Sequence, residues 1–99
     1  MNFHEALGLV IKDERQAKGL TLRDVSSTGF VSMGHLSDVE NGRKQGSSQF
    51  ISAVATALSL EPHDLIIGAG YLMKQFQIPS TIESLYSPDS FDTEYARLP

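Results

Sequence analysis

The stretch TLRDVSSTGFVSMGHLSDVENG, residues 21–42, decides the fold. It reads as two short helices joined by a tight turn. Thr21 is a good N-cap, and Leu22 and Val25, three apart, give the first helix, Leu22 to about Thr28, an inward edge. Gly29-Phe30-Val31 makes the turn. Ser32 caps the second helix, and Asn41-Gly42 is a natural exit through the left-handed conformation. Within that second helix only Leu36 and Val39 form an apolar edge. Met33, Gly34, His35, Ser37 and Asp38 leave most of its surface without a task inside a domain.

Working outward, Phe3, Ala6, Leu7, Val10, Ile11 and Ala17 recur at helical spacing, and Gly19 stops the segment that carries them. Beyond Gly42 a polar loop, RKQGS, ends at a further N-cap, Ser47 or Ser48. The next helix, Gln49 to Leu58, presents Phe50, Ile51, Val54, Ala55 and Leu58. Pro62 is pre-set for the first turn of a fifth helix, about 62–76, in which Gly68 and Gly70 mark a place for a bend or break. No strand-like alternation of useful length occurs, so the expected class is all-α. The expected division is a domain over 1–78 and a flexible, largely disordered acidic tail over 79–99, with a docked or helical piece around Ile82 to Tyr86.

Ninety-nine residues suit one small domain. The absence of cysteine excludes disulfides, thiolate zinc sites and a cysteine nucleophile. No run of about 18 apolar residues is present, so no membrane span is expected, and the N-terminus lacks a signal pattern. A cytoplasmic protein is the natural expectation. The net charge of −4 argues at first against a nucleic-acid partner. The acidity is concentrated at the end, however: Glu83, Asp89, Asp92 and Glu94 face only Arg97. Between residues 15 and 48, Arg15, Lys18, Arg23, Arg43 and Lys44 outnumber Asp24, Asp38 and Glu40. A locally basic face remains open.

Two short helices and a tight turn, the second helix presenting an exposed side, form a helix-turn-helix unit, here about 21–41. Such a second helix enters the major groove with its N-terminal residues at the base edges. GLTLRDVSSTGFVSMGHLSDVENGRKQGSSQFISAVATALSLEPHDLI resembles the Cro/phage-repressor (XRE-type) family of helix-turn-helix regulators, with similarity from Leu7 to Ile67. Within the family it is most similar to the actinobacterial regulators of Clp-protease genes, through TLRDVSS, VSMGHLSDVENGRK and SSQFISAVATAL. The sequence departs from the family pattern at Gly34, at His35, where tyrosine is usual, and at QGS in the loop.

The resemblance implies a five-helix, lambda-repressor-like DNA-binding domain that regulates transcription as a homodimer on a pseudo-palindromic operator. Together with the helical geometry it makes Ser32, Met33, Gly34, Ser37 and Asp38 the candidates for base contact, Met33 against a thymine methyl. Gly34 either lets the backbone approach closely or is merely a tolerated, helix-weakening residue. His35 faces phosphate, packs against the second helix or lies in solvent. Thr21, Arg23, Asn41, Arg43 and Lys44 are the phosphate candidates. The resemblance also implies an ion pair between Arg15 and Glu40 that fixes the angle of the recognition helix.

The fifth helix is apolar around most of its circumference, and Leu65, Ile66, Tyr71, Leu72, Met73 and Phe76 are expected at a dimer interface. The alternative cover is the tail, with Ile82, Leu85 and Tyr86. No nucleophile motif occurs, and His35 and Asp38, one turn apart, are too few to hold a metal. No catalysis, cofactor or metal is expected. The expected partner is double-stranded DNA. The rival reading is a protein-interaction module on the same fold, antitoxin-like or an adaptor, that acts on a protein partner through its tail.

Overall fold

A computed structural model describes residues 1–76. The tail over 79–99, its expected piece at Ile82 to Tyr86 and the tail cover for the fifth helix lie outside the described residues. Five helices follow in order: α1 (Phe3–Ala17), α2 (Leu22–Gly29), α3 (Met33–Glu40), α4 (Ser48–Ala57) and α5 (Pro62–Gln75). No strand occurs among the described residues, and the class is all-α.

Polar caps set the helix starts. The Glu5 amide donates to Asn2 Oδ1 at 2.8 Å, and the Asn2 amide donates back to Glu5 Oε1 at 3.1 Å. Thr21 and Asp24 repeat this reciprocal box at α2, at 3.0 and 2.8 Å. Ser32 and Ser47 cap α3 and α4. Each box satisfies amides that a helix leaves without partners. Thr21 holds the Asp24 carboxyl below its usual pKa, first through its backbone amide and then through its hydroxyl.

Leu7, Ile11, Val25, Leu36, Val39, Val54, Leu58 and Leu65 are the large side chains buried almost completely. Burying each contributes about 1.5–3 kcal/mol before entropy is counted. Helix α1 packs against α5 and α3, while α2 packs against α4 and α3. The α2–α3 pair is therefore held from behind by α1 and α4, and α5 packs across those two.

Two expectations for α5 need correction. Leu65 is 0% exposed and belongs to the core of its own chain, so it cannot sit at a dimer surface. Apolar residues around the whole circumference do not show which of them face inward. Leu65 and Ala69, four apart, form the buried edge, Leu72 and Met73 are half-buried against the core, and Ile66, Ile67, Tyr71 and Phe76 are exposed. Of the bend or break expected at Gly68 and Gly70, the break does not occur, since the helix is continuous through both. Gly68 serves close packing instead, since a Cβ there would lie 3.0 Å from Val10 Cγ1.

Candidate nucleic-acid interface

Helix α3 is fastened at both ends and buried along one edge. At its start Ser32 Oγ accepts from the His35 amide at 3.2 Å. At its end the Asn41 amide and Asn41 Nδ2 both donate to the Ser37 carbonyl, at 3.0 and 2.8 Å. Gly42 then takes a φ of +74°, and the amides of Arg43 and Lys44 fold back to the Asp38 carbonyl at 2.8 and 3.3 Å. Main-chain bonds thus hold the basic loop against the helix end.

Leu36, Val39 and Glu40 are the buried residues of α3. Met33 is 43% exposed, and a Cβ on Gly34 would meet nothing nearer than Ser32 Oγ at 3.8 Å. Ser37 and Asp38 are half-buried. The Asp38 carboxylate lies 4.0 Å from both Arg43 Nε and Lys44 Nζ, which are themselves well exposed. Exposed contacts of this length contribute little to stability and leave both cations free to exchange partners. Arg23 is exposed on α2, and Thr21 is exposed at its cap.

His35 follows a course different from those expected. Its ring meets Phe50 of α4 edge-on, with centroids 4.6 Å apart at 75°, so it packs on the fourth helix rather than the second. It stands as an aromatic spacer between α3 and α4.

A buried ion pair joins α3 to α1. Arg15 Nε donates to Glu40 Oε2 at 2.7 Å, Nη2 to Glu40 Oε1 at 2.9 Å, and Nη1 to the Leu20 carbonyl at 2.9 Å. The side chains are 10% and 3% exposed. This bidentate pair raises the Arg15 pKa further, chiefly through the hydrogen bonds to Glu40, with burial opposing and the Glu40 charge assisting. Two turns earlier on α1 lies Gly8, a residue that apolar periodicity passes over. A Cβ on Gly8 would overlap the Val39 carbonyl and come within 3.1 Å of that of Glu40. One end of α3 is thus seated directly on the backbone of α1. Ser26 was equally hidden: its hydroxyl donates to the Val31 carbonyl at 2.5 Å and its carbonyl accepts from the Val31 amide at 3.1 Å, bracing the α2–α3 turn.

Among the described residues no group of three or more His, Asp or Glu could hold a metal, and no single helix is long and apolar enough to cross a membrane.

A short helix held from behind, exposed in front and followed by a basic loop has the geometry of a helix-turn-helix domain. Comparison with known proteins agrees. The chain is 45% identical over 69 residues to the transcriptional regulator ClgR of Mycobacterium tuberculosis, a match covering 70% of this chain and 62% of that protein. The crystal structure of the clp gene regulator ClgR from Corynebacterium glutamicum superposes with a TM-score of 0.69 at 38% identity, covering 74% of this chain and 95% of that one. The restriction-modification controller protein C.AhdI from Aeromonas hydrophila superposes with a TM-score of 0.60 at 30% identity, covering 62% and 92%. No protein-family model matches the chain. The chain belongs to the XRE-like family of helix-turn-helix transcriptional regulators, close to ClgR. It spans less than two thirds of the length of the M. tuberculosis relative.

Proposed function

We propose that this chain is a sequence-specific DNA-binding transcriptional regulator that acts in the cytoplasm and carries no catalytic activity. It binds a pseudo-palindromic operator as a homodimer, with α3 in the major groove. The observation that carries this reading is the economy of α3: a capped helix with a single buried edge, Leu36, Val39 and Glu40, that leaves Ser32, Met33 and Gly34 exposed at its start. Met33 and the open backbone at Gly34 meet base edges, with the Ser32, Ser37 and Asp38 side chains beside them. Thr21, Arg23, Asn41, Arg43 and Lys44 contact phosphates and fix the register. On binding, Arg43 and Lys44 exchange the Asp38 carboxylate for phosphate oxygens, a small cost at 4.0 Å and high exposure.

The exposed apolar residues of α5, Ile66, Tyr71 and Phe76 with Ile67 between them, support a dimer surface flanked by the half-buried Leu72 and Met73. A twofold axis through such a surface presents two copies of α3 to half-sites about 34 Å apart. Because the C. glutamicum neighbour is a clp gene regulator, promoters of Clp-protease genes are the natural probes to try first.

Arg43→Ala tests the phosphate assignment. Affinity falls for specific and scrambled duplexes alike, and the slope of log K against log salt becomes shallower by about 1. An unchanged slope, read by fluorescence anisotropy over a salt series, removes Arg43 from the contact set.

A further inference from the structure

The turn between α2 and α3 holds a residue that the domain itself does not use. Phe30 closes α2 in the left-handed conformation, φ 56° and ψ 42°, and is 95% exposed. Isolated exposed apolar residues are common and need no explanation. A bulky side chain in the left-handed region is a different matter, because its Cβ crowds the following carbonyl and glycine is the ordinary occupant. Phe30 therefore combines backbone strain with full exposure, and burial returns almost nothing for either. Strain of this kind persists where the surroundings impose it and concentrates at functional sites. Here the surroundings do impose it. The Phe30 amide and the Val31 amide both donate to the Ser26 carbonyl, and Ser26 Oγ donates to the Val31 carbonyl. Val31 is drawn partly into the core while Phe30 points out. The ring is thus presented on a braced turn, two residues before the Ser32 cap and three before Met33.

From this placement we infer that Phe30 is a specificity-determining DNA contact, packing its ring against the methyl group of a thymine at the edge of the major groove. The inference rests on the DNA-binding reading and deepens it. Thymine alone among the bases offers an apolar group in the major groove, and a phenyl ring is one of the side chains suited to it. Continuity favours DNA as the occupant: the ring stands at the entry to the helix whose first turn meets the bases. Pre-organisation on a fixed turn lowers the entropy lost on contact.

The test uses the full chain and a duplex enriched from a random library by the wild-type protein. Replacing each thymine of that duplex in turn by uracil removes only the methyl group. One such replacement weakens wild-type binding about fivefold or more, the size of a single lost base contact. Phe30→Gly, which suits the left-handed turn and leaves the helical circular dichroism unchanged, binds the parent duplex more weakly by a similar factor and no longer distinguishes uracil from thymine there. If Phe30→Gly binds the parent duplex as tightly as wild type, the inference is overturned; a protein surface as the true occupant of the ring gives this result. Uniformly weaker binding by Phe30→Gly with the uracil effect intact also overturns it. A wild-type chain that enriches no sequence overturns the DNA-binding reading itself, a failure distinct from the other two.

Discussion

Glu40→Ala lowers the unfolding free energy by about 3–5 kcal/mol, the usual cost of leaving one member of a buried ion pair without its partner. Arg15 would keep only the Leu20 carbonyl, with its side chain 10% exposed and its charge undiminished. Since a small domain has a total stability of only about 5–15 kcal/mol, the variant loses a large share of it. Urea denaturation followed by circular dichroism measures the loss. The double replacement Arg15→Met with Glu40→Leu recovers most of it, because matched apolar residues remove the stranded charge. A single-variant loss below about 1 kcal/mol would mean that the pair behaves as an exposed one. The pH dependence follows from the raised Arg15 pKa. A group whose folded pKa exceeds its unfolded value stabilises fully below the unfolded value, and the contribution is lost only as pH climbs through the raised one. For an arginine that window is strongly alkaline, so Arg15 adds no pH dependence near neutrality.

The same substitution at two helical glycines has opposite effects. Gly8→Ala destabilises by about 3 kcal/mol or more, at the upper end of overpacking costs, because the obstructing atoms are main-chain carbonyls of α3 that cannot rotate away. Gly34→Ala stabilises by about 0.5–1 kcal/mol, since the new Cβ enters open space and the helix backbone loses freedom in the unfolded chain. Gly34→Ala nevertheless weakens specific DNA binding if the α3 backbone approaches the bases there. Thermal unfolding of both variants, with anisotropy on the second, checks each sign. Equal stability of Gly8→Ala and wild type would contradict the seating of α3 on α1.

The contrast also shows what sequence carries and what it withholds. Helix α3 was legible because its signals are local: a serine cap, two apolar residues three apart and an Asn-Gly exit. Gly8 was not, because its task is set by carbonyls far along the chain, and a mid-helix glycine hints at close packing without saying against what. Leu65 turns inward rather than to the dimer side, and this is hidden for a related reason: with apolar residues all around, periodicity alone does not choose the buried edge. His35 found Phe50 rather than α2 because α4 packs against the rear of the α2–α3 unit, a tertiary fact. The Ser26 brace and the left-handed Phe30 are likewise products of the folded turn. The Arg15–Glu40 geometry came within reach only through family resemblance, since nothing in their separate neighbourhoods joins them.

The central claim, that α3 reads DNA sequence, is tested most directly by one titration. The wild-type chain is titrated at physiological salt against its library-enriched duplex and a scrambled duplex of equal composition, with Met33→Ala in parallel. The account predicts that wild type prefers the enriched duplex by about a thousandfold or more and that Met33→Ala narrows the preference. Equal, weak and salt-sensitive binding of wild type to both duplexes would contradict it.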